Sequence, residues 1–176
     1  MAFRRNMRGE KLPDVLVPGL DVVFTGTAPS RRSAALGAYY AHPGNRFWPT
    51  LHEVGFTPVK YEPHQYAELI RLGIGFTDLA KRAAGMDHEI DPGLYEVERF
   101  EAEMRRCRPR AVAFTSKKAA SVWMGVPTGR IQYGHQRRVP DFPEVFVLSS
   151  PSGAARGSWT IEPWAALARF LGRMKA

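Results

Sequence analysis

Three short stretches of this chain put chemically useful side chains close together. The densest is Tyr39-Tyr40-Ala41-His42-Pro43-Gly44-Asn45-Arg46-Phe47-Trp48, with two tyrosines, an imidazole, a carboxamide and a guanidinium inside eight positions. Aromatic faces can stack on a nucleobase, and an Asn can read or orient a polar edge. Phe47 and Trp48 read as core, while Tyr40 and Asn45 have less reason to be buried just before a helix. The second stretch is Gly26-Thr27-Ala28-Pro29-Ser30 followed by Arg31, Arg32 and Ser33. It offers an anion backbone amides, hydroxyls and guanidinium groups, or it is an ordinary polar turn. It lacks the Gly-Lys-Ser/Thr ending of a Walker loop and the glycine spacing of a dinucleotide fingerprint. The third, Ser149-Ser150-Pro151-Ser152-Gly153-Ala154-Ala155-Arg156, combines a fixed backbone, small residues and an Arg within reach of a phosphate. A lone carboxylate, Asp78, stands in the Gly-flanked apolar run Gly73-Ile74-Gly75-Phe76-Thr77-Asp78-Leu79. It reads as a strand or loop end entering a site, or as a helix cap.

The surrounding pattern must position these groups. Asp21–Gly26, Arg110–Ser116 and Glu144–Ser150 read as short buried strands, with Gln136–Val139 as an edge strand. Helices are expected over Phe47–Val54, His64–Leu72 and Lys117–Met124, and after a Thr160 cap. Another should open at Asp91 or Pro92 and carry Val97, Phe100, Met104 and Cys107 on one face. Thr27–Asn45 reads as loop, and residues 1–17 as a flexible basic arm ahead of a single domain over 18–176. Strands alternating with helices predict a three-layer α/β/α sandwich around a mostly parallel sheet. In such sheets ligands bind at the carboxyl ends of the strands, where two of the three stretches fall.

Composition narrows the function classes. The chain has 176 residues and a net charge of +8, which suits a polyanionic partner such as nucleic acid. At 44% hydrophobic content it can build a core, which excludes disorder as a class. No run approaches the roughly 18–20 apolar residues of a membrane span. The single cysteine, Cys107, excludes an intramolecular disulfide and a thiolate cluster. With no apolar run after Arg4, Arg5, Arg8 and Lys11, a cytoplasmic protein is expected. His52, His64 and His88 lack metal spacing. His135, the Lys81-Arg82 pair and the Arg105, Arg106, Arg108 and Arg110 cluster read as solvated, with nucleic-acid contact as the alternative.

Taken together, Gly-Thr-Ala-Pro-Ser at 26–30, the Tyr-Ala-His-Pro-Gly-Asn-Arg-Phe-Trp run at 40–48 and the Ser-Pro-Ser-Gly turn at 150–153 resemble the uracil-DNA glycosylase superfamily. The resemblance is nearest to its mismatch-specific uracil/thymine branch. Tyr39-Tyr40-Ala41-His42-Pro43 is also similar to the hypoxanthine-DNA glycosylases. Order and spacing match over residues 18–172. The resemblance implies a monomeric, monofunctional enzyme that flips a uracil out of double- or single-stranded DNA and hydrolyses its glycosidic bond without metal or cofactor. A hypoxanthine glycosylase and a non-catalytic relative that binds damaged DNA are the alternatives.

Residue by residue, the resemblance places Tyr40 on the flipped base and Gly26, Thr27, Ala28 and Ser150 around it. It assigns Ala154 and Arg156 to the DNA, and the anion-suited groups Ser30, Arg31 and Ser33 and the Ser152-Gly153 turn are expected to contact DNA with them. Two departures are plain. Ala28 stands where mismatch-specific members carry an Asn that positions the attacking water, and Ala154 stands where they place a bulky wedge. A methyl group cannot orient water, so Asp78 or Asn45 must do so. A carboxylate both polarises water and stabilises the sugar cation, whereas an amide does the first weakly and the second hardly at all. Asp78 is the preferred candidate.

Overall fold

The structure is a computed structural model and describes residues 9–174. Five strands form one sheet in the order β2-β1-β3-β5-β4. They are β1 (Val22–Gly26), β2 (Ile74–Asp78), β3 (Ala111–Phe114), β4 (Gly134–His135) and β5 (Glu144–Val147). The first four in that order run parallel, and only β4 is antiparallel to its neighbour. The helices are α1 (Arg31–Leu36), α2 (Phe47–Glu53), α3 (Val97–Cys107), α4 (Lys117–Met124) and α5 (Glu162–Phe170).

Strand alternation explains the three layers. On β1, Val22 and Phe24 pack into one cluster with Phe47 and Trp48 of α2 and Trp164 of α5. Val23 faces the other cluster, with Phe100 and Met104 of α3 and Ala119 and Ala120 of α4. Phe24 is enclosed by rings: Phe47 edge-on at 5.1 Å, Phe56 edge-on at 5.7 Å and Trp164 stacked at 5.9 Å. Burying each such ring contributes about 1.5–3 kcal/mol. Gly75 is required by a backbone crossing, since an added Cβ would lie 2.4 Å from the Val15 carbonyl oxygen.

Several expectations from sequence need correction. The arm expected over residues 1–17 is packed along its second half: Leu12, Asp14 and Val15 are buried, and Val15 bridges to Phe76 of β2. Its apolar residues and Asp14 find partners only once the sheet exists; residues 1–8 lie outside the described residues. The loop over 27–45 contains α1, which Ser30 caps by accepting from the Ser33 amide. Six residues are too few for a hydrophobic period to show. The helix expected from Asp91 is two elements, because Asp91 caps a 3-10 turn at Pro92–Leu94 before α3 begins at Val97. The edge strand lies at 134–135 rather than 136–139. Among the described residues, no helix is long and apolar enough to cross a membrane.

Candidate active site

The carboxyl ends of β1, β2, β3 and β5 open onto one cavity of about 230 Å³. Gly26 and Asp78 are register partners at the ends of β1 and β2. A Cβ at position 26 would lie 2.8 Å from Asp78 Oδ1, so only glycine lets the strand approach the carboxyl group. Beyond this point the first loop continues the pairing: Leu79 and Ala80 amides donate to the Gly26 and Thr27 carbonyls. Asp78 is 3% exposed, and its Oδ2 has no hydrogen-bond partner in the protein. Burial pushes its pKa up to about 6; Lys81 and Arg99 oppose that rise and Asp14 adds to it.

A buried charge network stands behind this carboxyl group. Lys81 Nζ lies 2.8 Å from Asp14 Oδ1, with both side chains all but inaccessible. Arg99 reaches Asp14 Oδ2 at 3.1 Å and donates to the Asp78 carbonyl at 2.5 Å. Thr77 donates to Asp14 Oδ1 at 2.7 Å, and Lys81 donates to the Tyr39 hydroxyl at 3.3 Å. Lys81 was expected at the surface. Instead its charge is held inside by the acid of the N-terminal segment.

The aromatic run forms the opposite wall. Tyr40 adopts φ 52°, a left-handed conformation that a tyrosine takes only when its surroundings enforce it. One face of its ring lies on Phe47, with centroids 4.0 Å apart and planes 13° from parallel. Its hydroxyl is 3.0 Å from Thr115 Oγ1, and burial raises its pKa well above the ordinary tyrosine value. Asn45 also lines the cavity, but its Oδ1 accepts from the Phe47 amide at 2.9 Å, at the start of α2. Its NH₂ can donate to a ligand, but an amide is no base.

The structure thus brings together Asp78, Asn45 and Tyr40 with Gly26, Thr27, Ala28 and Ser150 around one cavity. The second loop is docked on the turn after Tyr40. The Arg46 amide donates to the Pro151 carbonyl, and a Cβ on Gly153 would lie 3.3 Å from the Gly44 oxygen. Arg156 is exposed in the 3-10 turn Gly153–Ser158, beside an exposed Ala154.

The hydroxyls expected on DNA are largely committed to the fold. Ser33 is buried and accepts from the Ala41 amide, Ser30 caps α1, and Ser152 accepts from the Ala154 amide. Arg31 is exposed but ion-paired with Glu89. Arg105 and Arg106 pair with Glu101 and Glu103 on their own helix. Arg110 pairs with Asp21 and precedes β3, at the end of the sheet away from the cavity. His135 stacks on Phe146 and pairs with Glu144.

Sequence reasoning missed Thr115 and Ser116, Leu12, and the segment Gly85-Met86-Asp87, all of which line the cavity. Thr115 stands at the end of an expected strand, so the carboxyl-end rule could have found it. The 85–87 segment carried no signal. It is brought in by the Thr27 Oγ1 to Asp87 bond of 2.6 Å and the Gly85 amide donating to Pro29. Among the described residues, no three His, Cys, Asp or Glu side chains are grouped to hold a metal.

The sequence model of the Uracil DNA glycosylase superfamily matches residues 13–168 of this chain. The chain belongs to the uracil DNA glycosylase superfamily. The match begins before Asp14, so the acid that holds Lys81 lies inside the family domain. Among solved structures, a candidate uracil DNA glycosylase from Methanosarcina acetivorans, determined by solution NMR, is similar at 23% identity with a TM-score of 0.61. The similarity covers 92% of this chain and 96% of that one, and it shows a shared fold.

Proposed function

We propose that this protein is a monofunctional DNA glycosylase that hydrolyses the glycosidic bond of uracil in DNA. The observation that carries this reading is Asp78, a buried carboxyl group with one oxygen unpartnered, facing a cavity whose other wall is the Tyr40 ring. The flipped base stacks on Tyr40, and the Asn45 NH₂ donates to a base carbonyl. Asp78 takes the proton of a water whose oxygen bonds to C1′ as the C1′–N bond breaks. The electron pair of that bond leaves with the base, which is then protonated by solvent. The Asp78 charge also stabilises the oxocarbenium-like sugar in the transition state. Extrusion costs a few kcal/mol and is cheapest at a mismatch.

Single-turnover cleavage of oligonucleotides carrying one uracil or one hypoxanthine tests the reading. Uracil excision supports it. Excision of hypoxanthine alone moves the protein to the deaminated-purine branch that Tyr39-Tyr40-Ala41-His42-Pro43 resembles. Binding without excision of any damaged base marks a non-catalytic relative.

Two further outcomes are expected. Base–aromatic stacking is worth roughly 1–3 kcal/mol, so Tyr40→Ala should slow excision by about 5–150-fold, whereas Tyr40→Phe keeps the ring and should stay within a few-fold. Equal losses would show that the hydroxyl bonded to Thr115 matters instead. Arg156 is exposed, beside the turn that docks on Gly44. If it grips a phosphate, Arg156→Ala should lower the slope of log K against log salt by about one. An unchanged slope removes Arg156 from the interface.

A further inference from the structure

An extruded nucleotide leaves a hole in the base stack, and the hole closes again unless something fills it. Proteins that unstack DNA fill such holes with an apolar wedge such as Phe, Leu, Ile, Met or Pro. Among the described residues, six large hydrophobic side chains are strongly exposed, and of these only Met86 lines the cavity. It is 53% exposed, so it stands at the cavity mouth rather than inside it. The second loop lines the cavity with Ser150, Pro151 and Ser152, of which only Pro151 is apolar, and it is buried.

The backbone under Met86 is anchored on both sides. Gly85 takes φ 144°, which favours glycine, and its amide donates to the Pro29 carbonyl. The Met86 amide donates to Glu89 Oε1 at 3.0 Å, and Glu89 is itself paired with Arg31. Asp87 accepts from Thr27 at 2.6 Å. An apolar side chain is therefore held out into solvent, on a braced loop, beside a cavity the first loop also lines.

We infer that Met86 is the wedge that enters the duplex and occupies the gap left by the flipped nucleotide. This rests on the base-flipping reading above. Its unbranched thioether suits the role, since it adapts to either neighbouring base pair. The consequence is selective: the wedge matters where the base must be pulled from a paired stack, and little where no partner opposes extrusion.

The test compares two oligonucleotides, one with uracil opposite adenine and one with uracil opposite an abasic spacer. Each also carries 2-aminopurine beside the uracil, which brightens when unstacked. Met86→Ala should lower single-turnover excision from the paired substrate about tenfold or more, with a change under about twofold on the unopposed one, since extrusion is easiest from an unpaired site. The 2-aminopurine signal on binding the paired duplex should fall in parallel, and Met86→Leu should restore both. An equal loss on the two substrates, or no loss on either, overturns the assignment. Should the wild-type protein excise neither uracil nor hypoxanthine, the proposed activity fails. The wedge is then judged on fluorescence alone: a 2-aminopurine signal unchanged by Met86→Ala overturns it. Met86 is exposed, so the thermal midpoint should not move and folding does not confound the result.

Discussion

Asp78→Asn is expected to slow base excision by about 10²–10⁴-fold, the usual contribution of a general base, while making the folded protein more stable at neutral pH. Both effects have one cause. The carboxyl group is buried, lacks a partner on Oδ2, and has its pKa pushed up to about 6. Below about pH 4 it is protonated in both the folded and the unfolded chain, and its burial carries no charge penalty. Between about 4 and 6 the folded state keeps a proton that the unfolded state releases, so stability falls as pH rises. Above about 6 the penalty is complete, at roughly 3 kcal/mol. Asn cannot ionise. Its stabilising effect should therefore be largest at pH 7–8 and vanish towards pH 4. Activity runs the other way. The base works as the carboxylate, so wild-type single-turnover rates should fall about tenfold per pH unit below an inflection near 6, the value set by burial of Asp78. Rapid-quench assays from pH 5 to 8, with thermal melts of both proteins across pH 4–8, measure the two effects together. Near-native excision by Asp78→Asn would end the assignment. If Asn45→Ala alone abolishes excision with the fold intact, the amide takes over the role.

Asp14→Ala is expected to cost about 3–5 kcal/mol of stability, because it strips the counter-charge from a buried lysine. Lys81 is 1% exposed, and Asp14 is the carboxylate that both it and Arg99 contact. A lone ammonium group in that position must deprotonate or break the packing of the N-terminal segment on β2. Replacing the pair together, as Asp14→Leu with Lys81→Met, should recover much of the loss, since a well-packed apolar pair of similar volume often matches a buried ion pair. Urea denaturation of the two single variants and the double variant at pH 7.5 reads out the coupling. A loss of under about 1 kcal/mol for Asp14→Ala would mean the pair contributes little. The pair also acts on the candidate base. Lys81 favours the Asp78 carboxylate and Asp14 disfavours it, so Lys81→Met should move the inflection in the pH–rate profile upward and Asp14→Asn downward. A structural role alone would not produce opposite shifts.

The fold was largely legible in the chain. The strands near 22–26, 111–114 and 144–147 and the helices near 47–53 and 117–124 follow from short apolar runs and 3.6-residue periods, which depend only on local sequence. The residues around the cavity were legible for a related reason. Gly26, Asp78 and Ser150 stand at or just after strand ends, and in a parallel sheet those ends gather at one edge. What failed were elements too short or too irregular to carry a period. These are the six-residue α1, the break between Pro92–Leu94 and Val97, and the two-residue β4.

Residue types and their order along the strands determined which groups could meet at the sheet edge, because side-chain alternation and strand direction are local properties. Whether a group meets solvent or the interior is not local, and only the tertiary structure decided it. Lys81 and Asp14 are 67 positions apart, and each is buried because the other is there. Asn45 has the chemistry to orient water, yet the amide of Phe47 claims its oxygen once α2 starts. Asp78 becomes a candidate base, rather than an ordinary acid, because the end of β1 closes over it at a glycine and removes the water that would hold its pKa down.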